Sequence, residues 1–176
     1  MYFSVRRITF TAIIMAINIL FSSFGIPLGF STLYLTDIAV CTAGILLDPF
    51  SAFIAGAVGA FIGDVFFYPK AMLVTLSVRA VQVVIISVFT RYIFGKKPMI
   101  GSIVGCIIGV IVMACGYAFL GGAVYGTMEG SLAKLPLEFL QAAVGVIVAI
   151  PVSYKFGLRS AFNEYLAKDG KNKPEN

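Results

Sequence analysis

Apolar runs about as long as a bilayer is thick follow one another along the chain, separated by short polar or turn-forming stretches, and this pattern predicts six helices. The first covers residues 8–23 and is broken by Gly25, Pro27 and Gly29, so that 22–36 reads as a long, partly apolar loop. The second, 37–47, is short for a bilayer: at about 1.5 Å per residue it falls well below the hydrocarbon thickness and must borrow length from the loop or lie tucked among other helices. Asp48 and Pro49 make a tight turn into a third helix, 50–67, because proline fits the first turn of a helix and restricts the residue before it. Tyr68, Pro69 and Lys70 turn the chain into a fourth, 71–94. Gly95 to Pro98 lead to a fifth, 100–120. A second long loop, glycine-rich and containing Tyr125 and Glu129, is expected over 121–135, and a sixth helix runs from Pro136 to about Phe162. The polar stretch 168–176 has a composition that does not order itself. The expected organisation is one membrane domain over 1–167 followed by a disordered tail.

Composition agrees: 60% of the 176 residues are hydrophobic and 12% charged, with a mean hydropathy of +0.99. Soluble domains carry about 25% charged residues, so the expected class is an all-α integral membrane protein, a compact bundle of six transmembrane helices. Residues 1–24 resemble a signal peptide in their basic start, but the apolar run is long, has no A-x-A cleavage pattern and opens a series of similar segments, so it is read as a retained first span. Basic residues then set the orientation. With the N-terminus inside, 10 of the 13 Lys and Arg fall on the cytoplasmic side, only Lys70 and Lys134 lie outside, and Arg79 sits within a span. Both termini are expected to be cytoplasmic and both long loops external, where loops of that length commonly serve as lids.

Candidate chemistry is sparse. Histidine is absent, and Cys41, Cys106 and Cys115 lie in apolar runs without CxxC spacing, which leaves no materials for a zinc site and makes small core residues of the thiols. The chain has no nucleophile with an adjacent base and no phosphate-cradling P-loop, so an enzyme is disfavoured. What stands out is charge in the wrong solvent: Asp37, Asp64, Arg79 and Glu138. An ionisable group at bilayer depth costs roughly 2.5–3.5 kcal/mol on insertion scales and normally marks a pathway, a ligand or a buried partner. Asp37, at a helix start, is tolerated by the helix dipole. Asp64 and Arg79 fall where a helical hairpin brings them within pairing distance, either as a structural ion pair or as a pair that yields Arg79 to a ligand. Thr75, Arg79 and Gln82 share a face of the fourth helix, and Glu138 and Gln141 repeat the three-residue spacing on the sixth. Two polar stripes at one depth, under two outer loops, form the expected walls and lid of an outward pocket, with Phe30, Tyr34, Tyr117 and Tyr125 lining or covering it, or lying in an interfacial aromatic belt. Ala12 and Ala16 share one face of the first helix as a small-xxx-small patch, and Ala52, Gly56, Gly59, Ala60 and Gly63 make a longer stripe on the third, both suited to close helix packing.

Four stretches in order carry a resemblance: A-I-I-M-A from Ala12 to Ala16, L-L-D-P-F-S-A-F-I-A-G-A-V-G-A-F-I-G-D from Leu46 to Asp64, Y-P-K-A-M-L-V-T-L from Tyr68 to Leu76, and L-P-L-E-F-L-Q-A-A-V-G from Leu135 to Gly145. Together with the six predicted helices and the length, they make the chain resemble the substrate-binding (S) components of energy-coupling factor (ECF) vitamin importers of the bacterial cell membrane. It is most similar to the branch associated with riboflavin, hydroxymethylpyrimidine and pyridoxine-like ligands. The resemblance implies a binding protein that captures a water-soluble vitamin or precursor outside and associates with a membrane coupling subunit and two ABC-type ATPases. It implies that these partners bind the ATP, that the chain needs no cofactor and no nucleic acid, and that the Ala12 and Ala16 face docks on the coupling subunit. It further implies that the whole component topples to release its cargo inside, with 22–36 as the gate. Arg79 departs from the pattern, standing where lysine is expected; its planar fork suits a carboxylate, phosphate or ring oxygen pair. The competing expectation is a structural or assembly subunit with no ligand of its own.

Overall fold

The computed structural model of the chain describes residues 5–28, 31–67, 69–125 and 128–171. Helix α1 (Val5–Ser23) leads into an antiparallel hairpin of β1 (Gly25–Leu28) and β2 (Ser31–Tyr34), paired Gly25 to Tyr34 through Leu28 to Ser31. Next come α2 (Thr36–Leu46), the short α3 (Pro49–Ala52), a wider π-helical segment (Phe53–Val58) and α4 (Gly59–Phe67), the last three continuous. Helix α5 (Met72–Val88) runs on through a second π-helical segment (Phe89–Ile93), followed by α6 (Pro98–Tyr125), α7 (Met128–Tyr154) and α8 (Leu158–Lys171). Among the described residues, five helical stretches are long and apolar enough to cross a membrane: Val5–Ser23, Pro49–Phe66, Met72–Ile93, Pro98–Leu120 and Leu132–Tyr154.

Helix α2 is the sixth apolar helix and does not fit that description. Its 11 residues rise about 16 Å, roughly half a hydrocarbon core. It is instead packed between α1, α5 and α7, and 10 of the 11 are buried. A helix enclosed on every side needs no polar face, which is why its sequence is apolar all round apart from threonines and Asp37. Its C-terminal carbonyls are satisfied from α5 and its π-helical extension: Ser87 Oγ donates to Leu47 O at 2.7 Å, Arg91 Nε donates to the same oxygen at 3.0 Å, and Arg91 Nη2 donates to Leu46 O. A guanidinium at the negative end of a helix dipole and a carboxylate in its first turn complement the same dipole.

The π-helical segment at 53–58 has a local purpose. Widening the turn frees carbonyls from their usual partners, and Asn18 Nδ2 of α1 donates to Ala55 O at 3.0 Å and Gly56 O at 2.8 Å. The small-residue stripe packs inward against two helices: a Cβ on Gly56 would lie 2.9 Å from Val83 Cγ2 of α5, and one on Gly63 would lie 2.4 Å from Ser22 Cβ of α1.

Three expectations are corrected. The expected loop over 121–135 is helical on both sides of 126–127, which lie outside the described residues: α6 continues to Tyr125 and α7 starts at Met128. Glycine weakens a helix by only about 1 kcal/mol, so the glycines of this stretch do not by themselves end one. Pro136 is therefore not a helix start but sits inside α7, as does Pro151. The sixth predicted helix, drawn to Phe162, stops at Tyr154; Gly157 takes a left-handed φ of 69° and the chain restarts as α8, which absorbs residues 168–171 of the expected tail. The expected outer loop 22–36 contains the β-hairpin. Of the cysteines, Cys41 and Cys106 pack in one core cluster with Ile45 and Ile86, whereas Cys115 is exposed.

Candidate functional site

The bundle closes around one charged pair. Asp37, in the first turn of α2, is fully buried, and Arg79 of α5 is 4% exposed. The fork of Arg79 meets the carboxylate with two nitrogens, Nη1 to Oδ1 and Nη2 to Oδ2, the latter at 3.2 Å. Gln82, one turn along α5, accepts from Arg79 Nη1 at 2.9 Å and places its own amide 3.5 Å from Asp37 Oδ1. Met113 Sδ of α6 lies 3.2 Å from Arg79 Nη1, and the Tyr117 ring sits 5.7 Å from the guanidinium carbon in cation–π range. From α7, Gln141 Nε2 donates to Asp37 Oδ2. Backbone geometry makes room for this: a Cβ on Gly145 would stand 2.6 Å from Asp37 Cβ and 2.9 Å from its carbonyl carbon, so only glycine lets α7 approach so closely.

Arg79 thus pairs with Asp37 rather than with Asp64. Asp64 is half-buried on α4, within electrostatic reach of Arg79 and hydrogen-bonding reach of Thr75. Tyr117 OH donates to Thr75 Oγ1 at 3.4 Å, which carries the polar stripe of α5 outward from the ion pair. Glu138 is half-buried on α7, three residues before Gln141, within electrostatic range of Arg79 and Asp37. Thr75, Arg79, Gln82, Tyr117, Glu138 and Gln141 are therefore brought around one centre, with Asp64 at its edge. Tyr34, at the end of β2, joins them through its backbone N–H, which donates to Gln141 Oε1 at 2.9 Å. Phe30 and the Tyr125 side chain lie outside the described residues.

Two polar atoms of this centre are buried without a hydrogen-bond partner: Arg79 Nε, a donor, and Glu138 Oε2. Leaving such a group unsatisfied costs about 1–3 kcal/mol, more when it is charged. Asp37 is the member of this centre that the sequence alone placed among tolerated helix starts. The signal was present in the length of α2, since a helix too short to reach both interfaces carries its first turn into the bundle interior.

On the opposite flank, Ala12 and Ala16 both face outward from α1, amid exposed Ile13, Ile17 and Leu20. Ala12 borders a shallow cavity of about 160 Å³ lined by Arg7, Ile8, Thr11, Met15, Phe50 and Ile54. Arg7 at its rim is paired with Asp48 at 3.2 Å.

The comparisons agree with this architecture. A solved structure described as the S component of a bacterial ECF transporter has the same fold, with a TM-score of 0.66 at 20% identity over 86% of this chain and 95% of that one. A Pyrococcus woesei protein described as "Uncharacterized protein in gap 3'region" is 30% identical over 131 residues, 73% of this chain and 86% of that protein. The family profile described as "ECF-type riboflavin transporter, S component" matches residues 2–156, nearly all of the bundle and short of α8. The chain belongs to the ECF-type riboflavin transporter S-component family.

Proposed function

We propose that this multi-pass membrane subunit captures a flavin-like or other ring-shaped vitamin, or a pyridoxine- or hydroxymethylpyrimidine-like precursor, from the outer side of a bacterial cell membrane. Delivery then occurs by toppling of the whole bundle on a membrane coupling subunit, with two ABC-type ATPases hydrolysing the ATP. The observation that carries the reading is the pair of unsatisfied buried atoms, Arg79 Nε and Glu138 Oε2, beside the Asp37–Arg79 ion pair. A ring edge that offers an acceptor next to a donor, such as a cyclic imide, would satisfy both atoms, and Tyr117 supplies an aromatic face nearby. Pockets of this kind are mostly apolar with a few converging polar groups, and Thr75, Gln82 and Asp64 complete the polar set.

Calorimetric titration of the detergent-purified protein with riboflavin, pyridoxine and hydroxymethylpyrimidine tests this. One of the three is expected to bind tightly. Glu138→Gln and Arg79→Lys are each expected to weaken it roughly ten- to a hundredfold, the worth of a charge-assisted hydrogen bond. Folded protein that binds none of the three compounds would favour a structural subunit in which the ion pair serves packing alone.

A further inference from the structure

Strand β2 and helix α2 are joined by a single residue, Leu35, so that Tyr34 and Asp37 lie on either side of a tight joint. One side chain from a third element spans it: Gln141 accepts from the Tyr34 backbone N–H at 2.9 Å through Oε1 and donates to Asp37 Oδ2 through Nε2. Carboxamides are the neutral side chains that carry an acceptor and paired donors on one carbon, and both ends of this one are used. Asp37 Oδ2 also receives Arg79 Nη2, so the same carboxylate oxygen answers to the hairpin through Gln141 and to the buried cation directly. Any displacement of Arg79 or Asp37 therefore changes the bond that fixes the base of the hairpin.

We propose that Gln141 is a positioning residue that clamps the joint between the outer hairpin and α2, and so makes the angle of the hairpin depend on the state of the Asp37–Arg79 pair. The proposal rests on the reading that this centre receives a ligand, but the clamp itself exists in the empty protein and is testable there. Gln141→Leu removes both bonds. Gln141→Glu keeps an acceptor for Tyr34 but loses the donor to Asp37 and sets two carboxylates against each other. Adding Asp37→Asn to Gln141→Glu moves the negative charge from α2 to α7 and reverses donor and acceptor, which restores a bond across the joint at constant net charge.

The test uses a nitroxide attached at Ile26→Cys, an exposed position on β1, in a Cys115→Ala background that removes the exposed native thiol. Without ligand, Gln141→Leu and Gln141→Glu are expected to raise label mobility, and the double variant to return it only part of the way, because it restores the bond across the joint but takes the α2 carboxylate from Arg79. Riboflavin, or whichever panel compound binds, is expected to dissociate from Gln141→Leu about tenfold faster, with a smaller change in association rate. Label mobility unchanged in both single variants would overturn the clamp, whatever happens to binding. Loss of binding with the hairpin unmoved would likewise overturn it, making Gln141 a plain ligand contact. A loosened hairpin in a protein that binds no panel compound would uphold the clamp and count against the proposed function instead.

Discussion

At the scale of single residues, Asp37 and Arg79 form an ion pair in which both side chains are buried. Two opposite charges in a low-dielectric interior attract strongly, yet each has lost its hydration, and the net worth of the pair is small beside the cost of breaking it. Asp37→Asn would leave Arg79 as an unpaired buried cation, and Arg79→Gln would strand the carboxylate. Each single change is expected to destabilise the purified protein by about 3–5 kcal/mol. The double variant has no stranded charge and is expected to recover most of that loss in thermal melts. Two single losses that simply add would mean that the residues act independently. Gln82 and Gln141 narrow the role of the pair further, because they bond to the carboxylate and thereby fix its orientation. Little of this pairing was legible in the chain. The polar spacing of Thr75, Arg79 and Gln82 and of Glu138 and Gln141 marked the right faces, but the partner of Arg79 is 42 residues away, and only the shortness of α2 separates Asp37 from Asp64 in the sequence.

Among the elements, apolar run length predicted the membrane helices well and their ends poorly. Runs persist because hydrocarbon demands them, whereas glycine and proline, the usual punctuation of soluble chains, are absorbed into α6 and α7 where the backbone has no water to turn to. Where water returns, the punctuation regains its force: Gly157 breaks the chain and α8 begins. Helix α8 lies beyond the residues matched by the family profile and is nonetheless fastened at three points. Arg159 donates to Tyr154 OH, Arg6 of α1 donates to Tyr165 O at 3.0 Å, and Phe162, only 1% exposed, packs against Phe10 in a tilted pair with ring centroids 4.6 Å apart while reaching the core cluster of α1, α2 and α3. So fully buried a ring at the end of the bundle holds α1 as much as α8. Phe162→Ala is expected to destabilise the protein by about 3–5 kcal/mol, the usual cost of emptying a buried aromatic site. Thermal melts check the loss, and a melt like the parent's would mean that α8 is a passive appendage.

For the molecule as a whole, the two faces of α1 differ: one packs into the bundle and the other is exposed. Asn18 and Ser22 face inward and lock α1 to the π-helical segment and α4, while Ala12 and Ala16 face outward on a surface of exposed isoleucine and leucine. Both alanines are exposed, Ala12 beside the shallow surface cavity, so enlarging them spares the buried face of α1 at Ile14, Asn18 and Ser22. Small residues on a lipid-facing stripe gain nothing from lipid, whose chains pack against leucine equally well, but they allow a partner helix to approach closely. The order of small-residue motifs along the chain made the family recognisable, and it did so because such stripes are fixed by packing geometry at both the inner and the outer face. Which stripe meets another protein is a property of the folded bundle. Ala12→Leu together with Ala16→Leu is accordingly expected to leave the affinity for the bound vitamin within about twofold, a few tenths of a kcal/mol, because neither side chain approaches the Asp37–Arg79 centre. Uptake by cells that hold the coupling subunit and ATPases is expected to fall to background. Uptake at the parent rate would exclude this face as the docking surface, and a matching loss of binding would place α1 in the ligand site instead.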